Sequence, residues 1–312
     1  MFKLNHKVIS MKKILFLTVF LILLTSLCTD FPVIEIPGLP SDNIQQTGIT
    51  NVVSSENSDL SLSVDTSSSN VKSGRTIQML FEIKNKQTYE LKNVAIEIYD
   101  NPCFKNEENK YKFSKDLGTI KADQSKMWSS KLTADKVDFQ KKCPIKFKTS
   151  YEANYSFYQD IAVLPSTEYY QKEADGTLRS IPLASSSTSS PFKIEITFGE
   201  PQPFLAGQTE PYYMYINYYN NGQGMFEDLS TKISPSGNIN LNCAPVYDSS
   251  FNLNKTSHPI TFIRNRATPT TCSFTTKTVP TMDIKSLSLT ASYKYVLDNS
   301  ISITVNPWDL KF

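Results

Sequence analysis

Residues 77–84 read Ile77-Gln78-Met79-Leu80-Phe81-Glu82-Ile83-Lys84. Ile77, Met79, Phe81 and Ile83 fall on one side of an extended chain. Gln78, Leu80, Glu82 and Lys84 fall on the other. Period-two alternation with one mostly polar face marks a half-buried antiparallel strand. The flanking stretches behave alike. Leu60, Leu62 and Val64 alternate with Ser and Asp. Val94, Ile96 and Ile98 alternate with Ala95, Glu97 and Tyr99, and Ile145 and Phe147 alternate with Lys146 and Lys148. Turn signals separate the runs at Lys72-Ser73-Gly74, Asp100-Asn101-Pro102 and Asp116-Leu117-Gly118. About seven short strands with such punctuation predict a β-sandwich over 58–165.

The chain has 312 residues, room for about two domains. A second strand-rich stretch, 192–307, opens on Phe192-Lys193-Ile194-Glu195-Ile196-Thr197-Phe198 and closes on Ile301-Ser302-Ile303-Thr304-Val305. Between them, 166–191 reads as a linker. Ser166 to Gly176 predicts one short helix, capped by Ser166 or Thr167 and ended by Gly176. Ser185-Ser186-Ser187-Thr188-Ser189-Ser190 predicts a flexible segment that lets the two domains move.

The two halves look like repeats. Val71-Lys72-Ser73-Gly74 precedes a long strand in the first half, and Phe204-Leu205-Ala206-Gly207 does so in the second. Asn85 and Asn220 end those strands. Lys142-Cys143-Pro144-Ile145-Lys146-Phe147 loosely matches Thr271-Cys272-Ser273-Phe274. Thr149-Ser150-Tyr151-Glu152-Ala153-Asn154-Tyr155 resembles Thr290-Ala291-Ser292-Tyr293-Lys294-Tyr295. The expected architecture is all-β, two tandem Ig-like antiparallel β-sandwiches.

The N-terminus decides the expected compartment. A basic region from Lys3 to Lys13 is followed by an apolar run, Ile14 to Leu24, interrupted by Thr18, and then Thr25-Ser26-Leu27-Cys28. The run is shorter than the ~20 residues of a comfortable bilayer span and suits a signal-peptide core. Residues 1–28 therefore read as an export leader. Cys28 stands where a lipoprotein signal places its lipidated cysteine, although Leu27 replaces the usual small residue. An uncleaved anchor is the competing reading. Residues 29–57, Pro-punctuated and then Ser/Asn/Gln/Thr-rich, read as a tether. The expected location is the outer face of the cytoplasmic membrane or the cell surface.

Of five cysteines, four lie in the body, two per half. Four cysteines allow three pairings, and the repeat selects Cys103–Cys143 and Cys243–Cys272. An exported chain with an even set of body cysteines reads as disulfide-bonded. Without CxxC or a Cys/His cluster, zinc is not expected. No phosphate-binding loop, dinucleotide fingerprint or nucleophile elbow occurs, so no cofactor and no catalytic residues are expected. Removing the leader's four lysines takes the formal charge from +2 to −2, which gives no footing for nucleic acid.

Tandem sandwiches with the Gly74 and Gly207 turns, the strand-ending Asn85 and Asn220, a mid-domain Cys and a Tyr-rich last hairpin resemble the CARDB-like and related Ig-like domains of archaeal and bacterial surface proteins. The resemblance spans roughly 58–305. It implies adhesion or spacing at the cell surface and no catalytic residues.

Several constellations are candidates for binding. Tyr213, Tyr215 and Tyr219 lie on one face of a predicted strand, with Tyr212, Met214, Ile216 and Tyr218 on the other. The first set suits an aromatic platform for sugar or protein, flanked by Asn220, Asn221 and Gln223. Cross-strand packing is the commoner reason for such residues. Asp100-Asn101 with Glu107-Glu108 fits a solvated loop better than a calcium site. Lys141, Lys142, Lys146 and Lys148 fit a solvated strand face, and His258 a surface loop. Asn154-Tyr155-Ser156 and Asn254-Lys255-Thr256 are glycosylation sequons. Two function classes remain. One is a membrane-anchored extracytoplasmic protein that meets lipid through its anchor and a protein or glycan through its body, by adhesion or partner binding. The other is an accessory carbohydrate- or ligand-binding lipoprotein that uses the Tyr-rich strand.

Overall fold

Strand-forming alternation is sustained long enough in two places to make 24-residue strands, and these organise the molecule. The computed structural model describes residues 50–53, 59–237, 239–244, 252–253 and 260–308. In chain order the first-half strands are β1 (Thr50–Val53), β2 (Leu60–Thr66), β3 (Asn70–Lys72), β4 (Thr76–Asn85) and β5 (Leu91–Asp100). They continue with β6 (Phe104–Lys105), β7 (Phe113–Ile120), β8 (Ser125–Ala134) and β9 (Lys141–Leu164). Helix α1 (Ser166–Ala174) and a 3-10 turn (Leu178–Ser180) follow. The second half holds β10 (Ser185–Ser187), β11 (Phe192–Phe198), β12 (Phe204–Leu205), β13 (Tyr212–Asn220), β14 (Met225–Pro235) and β15 (Ile239–Ala244). It ends with β16 (Asn252–Leu253), β17 (Phe262–Ile263), β18 (Arg266–Ala267), β19 (Thr270–Thr276) and β20 (Asp283–Asn306). The protein is all-β, as the alternation predicts.

Strands β9 and β20 run antiparallel along their whole lengths, from Lys141 opposite Val305 to Val163 opposite Asp283. They form the spine of a nine-stranded sheet in the order β16-β14-β20-β9-β5-β7, with β3, β10 and β12 added at its edges. The sheet β1-β2-β4-β8-β6 covers one end of this spine. There Phe81 of β4 meets Phe147 of β9 edge-on at 5.3 Å and stacks on Trp128 at 5.1 Å. The sheet built from β11, β13, β19, β15, β18 and β17 covers the other end, where Phe192 meets Tyr155 of β9 at 5.2 Å. The result is two sandwiches that share one long sheet and one continuous apolar core.

The two halves repeat one plan. Phe192 pairs with Asn220 as Leu60 pairs with Asn85. Asn85 donates its side-chain amide to the Tyr89 carbonyl and accepts from the Gln87 N–H; Asn220 does the same with Gly224 and Gly222. Gly74 and Gly207 both take φ +71°, and their N–H groups bond the carbonyls of Ala134 and Thr276, the ends of β8 and β19. β3 adds parallel to the end of β20, and β12 adds parallel to the end of β9. Each copy therefore donates a short strand to the last strand of the other.

Several expectations are corrected by this arrangement. The serine run is not a loose hinge, because Ser185–Ser187 pairs with Phe157–Gln159 of β9. The described residues from 50 to 308 fall in one compact unit. The cause is non-local: β9 and β20 hydrogen-bond across the halves, leaving β9 with an open edge that the serines fill. Thr50–Val53, expected in the tether, pairs with β2. The match of Cys143 with Cys272 fails, since Cys143 opens β9 whereas Cys272 lies in β19, the counterpart of β8. Helix α1 stops at Ala174, with Gly176 following at φ +68° as the expected terminator, but Pro165 takes the N-cap position with no side-chain cap. No helix among the described residues is long and apolar enough to cross a membrane. The leader, Cys28, Asn254 and His258 lie outside the described residues.

Both body disulfides are formed. Cys103–Cys143 ties the loop before β6 to β9, and so one sheet to the other. Cys243 and Cys272 sit directly opposite each other on β15 and β19.

Candidate functional site

Strand β13 carries the strongest candidate. Its burial alternates as the sequence predicts, with Tyr212, Met214, Ile216 and Tyr218 inside and the odd-numbered positions outside. Tyr213 is 51 % exposed and Tyr215 41 %. Register sets their neighbours, because directly paired residues in a sheet share a face. Tyr215 lies between Thr197 of β11 and Thr271 of β19. Tyr213 lies beside Ser273, which in turn lies beside Asn242 of β15. One row further, Thr275 pairs with Asn240. Among the described residues neither Tyr213 nor Tyr215 stacks on another ring or on a cation.

Tyr219 shares this face but has a different role. The Arg266 guanidinium lies 5.4 Å from its ring centroid and the Lys193 ammonium 6.0 Å. Burial first, and then the neighbouring Glu195 carboxylate, push its phenol up. The face therefore has a charged end at Tyr219 and an uncharged stretch at Tyr215 and Tyr213. Asn217 stands at the border, its amide donating to Thr197 Oγ1 at 3.3 Å. Asn220 does not flank the platform. It is buried, accepts from the Tyr295 hydroxyl at 3.1 Å, and serves as the turn lock described above. Asn221 and Gln223 lie in the loop beyond it.

The structure disposes of other candidates locally. In the acidic loop, Asp100 pairs with Lys146 at 2.8 Å, Glu108 with Lys110 at 2.7 Å, and Glu107 with Lys131 at 3.7 Å. Asn101 is buried and bonds the Phe104 carbonyl. No group of three potential metal ligands occurs among the described residues. Lys148 lies over the Tyr99 ring at 5.0 Å. Asn154 points outward from β9, exposed beside the spine's midpoint, Glu152 opposite Lys294.

Sequence reasoning missed the most unusual buried group. Asp59, the residue before β2, is fully buried. Its Oδ1 accepts from the Tyr89 hydroxyl at 3.0 Å and its Oδ2 from the Tyr293 hydroxyl at 3.1 Å. The Tyr151 phenol also faces it. Burial pushes the Asp59 carboxyl up to about 6, against the downward pull of these hydroxyls. Burial and the Asp59 charge in turn push the Tyr89, Tyr151 and Tyr293 phenols up. The Tyr89 hydroxyl also reaches the Ser189 carbonyl at 3.0 Å, and the Tyr293 hydroxyl meets Ser190 Oγ at 2.6 Å. This network ties the start of the first sandwich to the chain entering the second. Asp59-Leu60 reads locally as an ordinary polar residue before a strand, so no local signal marks it.

No known family model matches the chain, and no curated protein matches it. Among solved structures, a collagen adhesin from S. aureus aligns over 85 % of this chain and 94 % of its own, at 12 % identity and a TM-score of 0.12. That likeness carries no argument, and the site has to be read from its own geometry.

Proposed function

We propose that this protein is an exported, membrane-anchored, non-catalytic binding protein of the cell envelope. The observation that carries the reading is the pair of disulfides closing an all-β body. Disulfides persist in oxidising compartments outside the cytoplasm, and the basic-apolar leader at 1–28 supplies a route there. The anchor meets membrane lipid, and the body offers sheet faces and loops to an extracellular partner. The accessory ligand-binding reading is favoured by one specific observation: among the described residues, neither Tyr213 nor Tyr215 of β13 stacks on another ring or on a cation.

The test is the intact mass of the protein isolated from native membranes, with and without reductant. The expected mass begins at Cys28, carries lipid, and gains four hydrogens on reduction. A mass that retains residues 1–27 replaces lipidation with an uncleaved anchor. Recovery of the reduced full-length chain in the soluble cytoplasmic fraction overturns the proposal.

A further inference from the structure

We propose that the outer face of β11, β13 and β19 is a stacking surface for a neutral polysaccharide, with Tyr213 and Tyr215 as the platform. The inference rests on the exported binding role proposed above and specifies its ligand class.

Aromatic residues on a sheet face usually pack against a cross-strand neighbour. The neighbours of Tyr213 and Tyr215 are Ser and Thr, too short to cover a ring. About half of each tyrosine stays in water, whereas Tyr219 on the same face is bracketed by two cations. Residues i and i+2 of a strand stand about 6.8 Å apart on one face. The two rings therefore form a short row along β13. Tyr side chains lose little rotamer freedom on binding and present an apolar face with a polar tip. That combination suits the C–H face and hydroxyl rim of a sugar ring.

Charge selects the ligand class. Beside the phenols, the register rows through Tyr213, Tyr215 and Thr275 carry hydroxyl and amide residues and Ala244, none of them charged. An acidic polymer would find no cation in those rows, since Lys193 and Arg266 are confined to the Tyr219 end. A polyol can exchange hydrogen bonds with Thr197, Thr271, Ser273 and Asn242 without any charge being desolvated. Among the described residues, β11, β13 and β19 also carry no exposed Leu, Ile, Val, Phe or Met. The centre of a stable protein interface is more apolar than this.

The test is affinity electrophoresis of the detergent-solubilised full chain through gels containing a neutral glucan, mannan, galactan or xylan, with alginate and polygalacturonate as acidic counterparts. The expected result is retardation by at least one neutral polymer and by neither acidic one. The double variant Tyr213→Ala with Tyr215→Ala should weaken it tenfold or more with an unchanged urea midpoint. Tyr219→Ala, outside the neutral rows, should retain most of the retardation. Free migration in every neutral gel overturns the inference, as does retardation only by acidic polymer or retardation that survives the double variant. A concentration-dependent dimer abolished by the double variant would assign the face to a second copy and also overturn it. None of these results bears on the mass and location measured for the broader proposal, so the two can fail separately.

Discussion

Replacing Asp59 with Asn should stabilise the protein at neutral pH relative to the wild type, and hardly at all in acid. Burial raises the Asp59 carboxyl from 3.8 to about 6 in the folded state. Between those values the folded chain holds a proton that the unfolded chain has released. Stability from this group is therefore fully present below pH 4 and is lost as pH rises through 6. Each tenfold change in proton affinity is worth about 1.4 kcal/mol, so the loss comes to about 3 kcal/mol. The Tyr151, Tyr89 and Tyr293 hydroxyls and Gln87 pull the carboxyl down, but burial outweighs them. Asn keeps an oxygen to accept from the Tyr89 or Tyr293 hydroxyl and never ionises. The assay is urea unfolding of both proteins at pH 4 and pH 7.5, followed by tryptophan fluorescence, since Trp128 lies against the core. The variant's advantage should grow by about 2.5 kcal/mol between the two pH values, since at pH 4 the unfolded carboxyl is already partly ionised. An advantage that is the same at both, or that shrinks as pH rises, would refute the burial argument.

Disulfide removal should follow loop length: Cys103→Ala with Cys143→Ala opens a 40-residue separation and should cost about 4 kcal/mol, and the 29-residue pair Cys243 and Cys272 about 3.5 kcal/mol, read as non-reducing urea midpoints. Two glycines separate backbone strain from crowding. Gly74→Ala meets open space, so its φ of +71° alone should cost about 1–2 kcal/mol. Gly224→Ala sets a methyl against the Val296 carbonyl and the Tyr295 ring, and should lower the thermal midpoint well beyond Gly74→Ala. Equal effects would mean that β14 and β20 give way without cost.

Local chemistry is legible wherever one residue's environment follows from its near neighbours. The face assignment on β13 is such a case, because alternation is a property of the strand itself. The Asn85 and Asn220 marks are another, because each lock closes on residues two and four positions ahead. The charged bracket around Tyr219 is different. Lys193 and Arg266 reach it through pairing between separate strands. Asp59 is the extreme case, buried by Tyr89, Tyr151 and Tyr293 from three segments far apart in the chain.

Periodicity and turn residues, acting over a few positions, are enough to specify an all-β protein and two copies of one strand plan. They also specify the inner and outer faces of the main strands and which cysteines belong to which half. That the copies share one sheet is settled by long-range pairing alone. β9 and β20 could each have ended near the middle, where Glu152 stands opposite Lys294. They run on because each supplies the other's unpaired N–H and C=O groups over 23 residue pairs, and a buried backbone leaves such groups unpaired only at high cost. The same demand draws Ser185–Ser187 out of the linker and into the sheet.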